Sequence, residues 1–223
     1  MAIYDLEEQE QLSVIKAWWQ QYANLITGIA VFAAVASVGY QGWNWYQRQQ
    51  AAKASAIYTV VQKAIEDKDA KRAKEAAGEL LEKFSGSPYA AMGAVLSAKV
   101  QFDTGDLKTA HAQLAWAADN AREDELRDLA RLRLAAVMFD EKAYGDALKQ
   151  LEKEPLDAFV TRYAELRGDI YLAQNKRSEA RAAYQTALAK LEGRSRAGVA
   201  EAGITNALRE LIQLKLEALG EVQ

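Results

Sequence analysis

Catalysis near neutral pH needs a group that titrates or attacks there, and this sequence offers few. Its single histidine, His111, stands beside Ala110 in a segment of helical spacing, with no acid in the motif to orient the ring. An imidazole working as acid or base depends on such a partner, so His111 reads as a solvated helix residue. No cysteine is present, which removes a thiol nucleophile, a thiolate zinc site and a disulfide framework. The densest run of carboxylates is "REDELRD", residues 122–128. Acids and bases interleaved in this way read as a solvated helix start with compensating pairs, not as converging metal ligands. The glycines are scattered or mark turns, so no phosphate-cradling loop forms. The sequence therefore predicts a non-enzyme, with no catalytic residues, no metal, no cofactor and no small-molecule substrate.

What remains is chemistry of recognition, and the charge distribution narrows it. Before Arg48 the only basic residue is Lys16, and the only acids are Asp5, Glu7, Glu8 and Glu10. Of the 28 basic and 31 acidic residues, all but one and all but four lie beyond position 46, in equal number. A nucleic-acid partner calls for a basic excess, so it is not expected.

Between Lys16 and Arg48 lie 31 residues without a charge. A helix crosses the bilayer core with about 20 mostly apolar residues. Tyr22 to Trp43 supplies 22, interrupted only by the polar Asn24, Thr27, Ser37 and Gln41. Trp18, Trp19 and Tyr22 border one end; Tyr40, Trp43, Trp45 and Tyr46 border the other. Such rings favour the headgroup level, where the apolar body is buried and the N–H or O–H reaches water. A cleaved signal peptide would want a basic leader instead of this acidic one. The pattern predicts one membrane anchor. Ala30 with Ala34, and Ala33 with Ser37, have the spacing that lets another transmembrane helix approach closely. Lys16 before the span and Arg48, Lys53 and Lys63 after it would, read literally, place the large segment in the cytoplasm. Long domains translocate largely regardless of charge, so orientation stays open on this ground.

The elements beyond the anchor are helical in pattern. From Gln47 to Asp67 there is neither proline nor glycine, so the anchor helix is expected to run on. In "FSGSPYAAM" a helix ends, and Ser87 caps the next with Pro88 in its first position. Three segments then repeat. A small residue recurs at Ala98, Ala135 and Gly168, and a large apolar one four later at Phe102, Phe139 and Leu172. Eight further on come Ala110, Ala147 and Ala180, and four after those Leu114, Leu151 and Tyr184. The alanine spacings are 37 and 33 residues. Stepping back about one 34-residue unit points to Ala76 and Leu80 as an earlier copy. The pattern resembles the tetratricopeptide repeat, in which a small residue of helix A and an alanine of helix B let the pair pack closely. "TGD" before Leu107 fits the turn between them, while the second copy lacks its glycine. About three and a half pairs are expected between residues 50 and 192. A last amphipathic stretch, with Leu208, Leu211, Ile212, Leu216 and Leu219 on one stripe, is the expected cap.

Stacked pairs expose a face of A helices. In this register it carries Met92, Val95, Lys99 and Phe102, then Leu129, Leu132, Ala136 and Phe139, then Arg162, Glu165, Asp169 and Leu172. The first two rows are apolar and the third charged, a groove suited to an apolar segment of another protein. Phe102 and Phe139 could instead pack inside the array.

Taken in order, a short acidic N-terminus, a small-residue anchor ending "GYQGWNWYQRQQ", a tetratricopeptide-like array and a terminal helix "ELIQLKLEAL" resemble the YfgM family, ancillary subunits of the SecYEG translocon. The resemblance implies an all-α protein with an acidic N-terminus at residues 1–21, a transmembrane helix at 22–46, repeats at 47–194 and a capping helix at 195–223. It also implies a bacterial inner-membrane location, single-pass, with a cytoplasmic N-terminus and a periplasmic array. The partners implied are SecYEG, a membrane-anchored periplasmic peptidyl-prolyl isomerase and exported client proteins on their way to chaperones. A membrane-tethered scaffold for an envelope, division or signalling complex is the alternative that the residues leave open.

Overall fold

A computed structural model describes residues 3–196 and 202–220. Those residues form helices and turns, with no strand among them. The chain divides into two units, 1–51 and 52–223. Helix α1 is Ile3–Glu66, and nothing in its sequence from Gln47 onward would end it. Its first part is the apolar stretch already described. Its last turns belong to the second unit, where Ala54, Val61 and Ala64 are fully buried.

The second unit continues with α2 (Ala70–Lys83), α3 (Pro88–Asp103), α4 (Leu107–Asn120), α5 (Asp124–Asp140), α6 (Tyr144–Gln150), α7 (Asp157–Ala173), α8 (Arg177–Arg196) and α9 (Ala202–Ala218). They pair in order. The end of α1 with α2, α3 with α4, α5 with α6 and α7 with α8 make four helix A–helix B hairpins, and α9 packs on α8. Ser87 caps α3 by accepting from the Tyr89 N–H, with Pro88 in the first turn, as the sequence predicts. Helix α6 ends at Gln150, and Pro155 biases Glu154 away from helix, so the chain does not resume one before α7.

All four A-to-B turns have one conformation. Lys68, Gly105, Lys142 and Asn175 each take positive φ, between 56° and 84°. The next residue then donates its N–H to the carbonyl five back: Asp69 to Ala64, Asp106 to Gln101, Ala143 to Met138 and Lys176 to Tyr171. This is the left-handed helix ending that glycine adopts most easily. Only Gly105 shows it in the sequence. The turn of the second sequence copy does lack glycine, yet Lys142 closes it in the same way.

These turns also correct the register of the first pair. Ala73 donates to the Asp69 carbonyl as Ala110 does to Asp106, Ala147 to Ala143 and Ala180 to Lys176. The counterparts of Ala110 and Leu114 in α2 are thus Ala73 and Ala77, both fully buried, and not Ala76 and Leu80. The first interval follows the longer of the two visible spacings, not the family's usual 34. Leu80 packs across the hairpin boundary instead. Its side chain lies over Gly93 of α3, where an added Cβ would come within 2.6 Å.

Inside the pairs, small and large side chains compensate. Ala98, Ala135, Ala110, Ala147, Leu151, Ala180 and Tyr184 have no exposed surface, and Leu114 is nearly as buried. Where helix B offers leucine, helix A offers alanine at 98 and 135. Where helix B offers the larger Tyr184, helix A has Gly168, and a Cβ there would collide with three ring carbons of that tyrosine. Total volume is held while its division shifts, as close packing requires.

Helix α9 buries Leu208 and Ile212, with Leu216 partly covered and Leu219 buried just beyond its end, against Ala180, Tyr184, Ala187 and Leu191. Leu211, expected on that stripe, is 42% exposed. At 100° per residue it lies roughly 80° from the centre of the buried line.

Candidate functional site

The A helices bring two adjoining clefts to one face of the array. The first, about 250 Å³, is lined by Ala98, Lys99, Phe102 and Asp103 of α3, Leu114 of α4, and Arg133, Ala136 and Val137 of α5. The second, about 310 Å³, lies between α5 and α7 and is lined by Leu132, Arg133, Ala136, Arg162, Glu165, Leu166 and Asp169. Arg133 and Ala136 belong to both, so the two form one groove.

Of the residues expected on that face, Lys99, Phe102, Leu132, Ala136, Arg162, Glu165 and Asp169 line it. Val95 does not: it is 3% exposed and part of the core, because the α3 turn carrying it faces inward. Met92 and Leu129 are half-buried outside both clefts. Phe139 is also outside them, its ring 5.8 Å from Tyr144 within its own hairpin. Leu172 is exposed and lines neither cleft. Arg133 escaped the sequence reading; its signal was a lone cation in the otherwise apolar row of α5.

Charges in the groove are held very differently along its length. Lys99 pairs with Asp103 at 2.6 Å on an exposed turn. Arg162 pairs with Glu165 at 3.0 Å. Lys215 of α9 reaches across to Glu165 at 3.0 Å and to Asp169 at 2.8 Å, and stands 5.7 Å over the Tyr184 ring. The Tyr184 hydroxyl donates to Asp169 at 2.6 Å. Burial pushes the Lys215 ammonium down, but the bonds to Asp169 and Glu165 together outweigh it and leave it raised. Burial, with the Asp169 carboxylate as acceptor, holds the Tyr184 phenol well above its ordinary value. Arg133 differs. Its guanidinium donates to the Val95 carbonyl at 3.1 Å and has no carboxylate partner among the described residues. Burial pulls it below the ordinary arginine value.

Two sequence readings about charge change here. His111 does have an acid nearby, Glu141 from the following hairpin at 3.1 Å, which no local motif could reveal. "REDELRD" is not wholly solvated. Asp128 is buried, accepts the Leu156 N–H at 2.8 Å, and its carbonyl accepts from the Tyr163 hydroxyl at 3.0 Å. It pins the α6–α7 loop to α5. Among the described residues no three histidine or acidic side chains gather as a metal would need.

In the first unit, the helix from Trp18 is long and apolar enough to cross a membrane. Its rings stand bare: Trp18 and Trp19 are each 53% exposed, and Tyr22, Phe32, Tyr40, Trp43 and Trp45 are exposed too. Trp18 lies 5.5 Å from Tyr22, and Trp43 lies 6.4 Å from Tyr46. Ala33, Ala34 and Ser37 are open, with the Ser37 hydroxyl accepting from Gln41 at 3.1 Å. The Ala30 side chain lies outside the described residues.

Comparison with known proteins agrees with this architecture. The chain is 29% identical over 219 residues to a Neisseria gonorrhoeae protein named ancillary SecYEG translocon subunit, covering 96% of this chain and 98% of that one. A protein of the same name from Aggregatibacter actinomycetemcomitans is 29% identical over 218 residues, 97% and 99% of the two chains. One from Haemophilus influenzae is 28% identical over 185 residues, 82% and 90%. The model of the tetratricopeptide repeat-like domain matches residues 16–221. With that match spanning nearly its whole length, the chain belongs to the tetratricopeptide repeat-like domain family.

Proposed function

We propose that this protein is a non-enzymatic, membrane-anchored companion of the SecYEG translocon, whose repeat groove takes apolar segments of exported chains and helps hand them to periplasmic chaperones. The observation that carries this reading is coverage. The similarity to the gonococcal translocon subunit takes in 96% of this chain and 98% of that one, so anchor and array both fall inside it.

The physics supports each part. Phe32, Val35, Val38 and Trp43 are each more than 60% exposed, and water is a poor solvent for them. Transferring such side chains from water to hydrocarbon gains about 1.5–3 kcal/mol each, and lipid supplies that environment. The open small-residue face at Ala33, Ala34 and Ser37 suits a helix of the channel or of a membrane-anchored peptidyl-prolyl isomerase. A tether then raises the concentration of the groove at the channel exit without any new contact. In the groove, Phe102, Leu132 and Ala136 offer apolar surface to an unfolded segment, with charges at the rim.

This reading has the N-terminus in the cytoplasm and residues 52–223 in the periplasm. Protease added to intact spheroplasts, with a cytoplasmic marker as control, tests it. Digestion of the array is expected. Protection until lysis would overturn the periplasmic placement, uphold the lysine and arginine count, and favour the cytoplasmic scaffold.

A further inference from the structure

We propose that Arg133 makes the groove selective for apolar segments that carry an internal acidic side chain, which its guanidinium binds between the two clefts. The inference rests on the groove reading above and adds the chemistry of the segment.

Arginine has five N–H donors in a planar fork, and among the described residues Arg133 contacts the Val95 carbonyl alone. The other cations around it are neutralised. Lys99 faces Asp103, Arg162 faces Glu165, and Lys215 faces Glu165 and Asp169. The acids in both clefts are the ones so occupied, which leaves Arg133 as the unbalanced charge of the groove among the described residues. Partial burial without a counterion is costly, and a carboxylate arriving with a ligand would relieve it through a bidentate, charge-assisted pair. Position settles which kind of carboxylate. Arg133 lines the cleft toward α3 and the cleft toward α7, so a segment lying along the A helices has residues on both sides of it. A chain end would leave one cleft empty, whereas an internal glutamate or aspartate flanked by apolar residues fills both.

The test uses the full-length chain in nanodiscs and two short labelled peptides, capped at both ends. Each is rich in leucine and alanine; one has a central glutamate and its twin a central glutamine. Anisotropy titrations compare the wild type with Arg133→Gln, which keeps a donor for the Val95 carbonyl. The glutamate peptide is expected to bind the wild type about tenfold more tightly than its twin, a difference of about 1.4 kcal/mol, and the preference is expected to vanish in R133Q. If wild type binds the two peptides equally, the groove stands and the role of Arg133 is overturned. A glutamate preference that survives in R133Q also overturns it, placing recognition on Lys99 or Arg162. Failure of both peptides to bind would remove the groove reading and this inference with it. Should R133Q melt below the wild type, Arg133→Lys keeps the charge but loses the fork; an undiminished preference there would count against bidentate recognition.

Discussion

The α7 end of the groove and its middle treat buried charge in opposite ways. At α7, Glu165 and Asp169 are closed over by Lys215, Arg162 and the Tyr184 hydroxyl, and α9 is held down as a result. At α5, Arg133 is left with a single backbone carbonyl among the described residues. The contrast separates charge that builds the array from charge that is free to serve a ligand. A terminal repeat has no following neighbour to cover it, so its polar groups must be completed by a cap. An internal repeat needs no such completion, and the bond from Arg133 to the Val95 carbonyl ties α5 to α3 without calling for a positive charge.

The largest effect should come from breaking the closed end. Lys215→Met leaves two carboxylates partly buried with fewer partners, and we expect a loss of about 2–3 kcal/mol, with amide exchange rising first along α9. Urea unfolding and exchange of the full chain in detergent read both. A loss under about 1 kcal/mol would make the network an ordinary surface pair and dissolve the contrast. The matching change in the middle, Arg133→Met, should alter stability by less than about 1 kcal/mol, since an apolar side chain of similar length removes an unpaired charge. The sign with pH follows from the raised Lys215 value. Its contribution is complete below the ordinary lysine pKa of 10.5 and is lost as pH climbs through the raised folded value, so α9 should loosen only in strong alkali.

A second comparison, between the last hairpin and the two before it, carries the next effect. Gly168→Ala drives a Cβ into the Tyr184 ring and should cost about 1–3 kcal/mol. Adding Tyr184→Leu recreates the alanine–leucine division found at Ala98 with Leu114 and at Ala135 with Leu151. The double variant should therefore lose at least about 1 kcal/mol less than the sum of the singles, the lost hydroxyl bond to Asp169 notwithstanding. Additive losses would mean that Gly168 and Tyr184 are not a matched pair.

What was legible in the sequence follows from the same packing rules. Alanine and glycine at the centre of an A–B contact have few substitutes, so Ala98, Ala110, Ala135, Ala147, Gly168 and Ala180 print the fold directly. The anchor is legible because lipid excludes charge over its length. The groove was only partly legible: Lys99, Phe102 and Leu132 lie on the expected face, but Val95 and Phe139 turn inward. Rotation of a helix by less than one residue decides that, and periodicity does not resolve so fine an angle. Long-range partners left no local trace, as His111 with Glu141 and Asp128 with Leu156 show.

The smallest effect tests whether the four turns are one device. Lys142 at φ 62° and Lys68 at φ 56° hold a conformation in which a Cβ crowds the following carbonyl, and Gly105 holds it without that cost. Lys142→Gly should stabilise the array by about 0.5–1 kcal/mol, the strain relieved less the extra freedom of the unfolded chain. Asn175→Gly should gain less, because asparagine tolerates the left-handed region better than lysine. Gly105→Ala should run the other way by a similar amount. If Lys142→Gly destabilises, its side chain is contributing something the turn geometry does not contain, and the turns are alike in shape but not in cause.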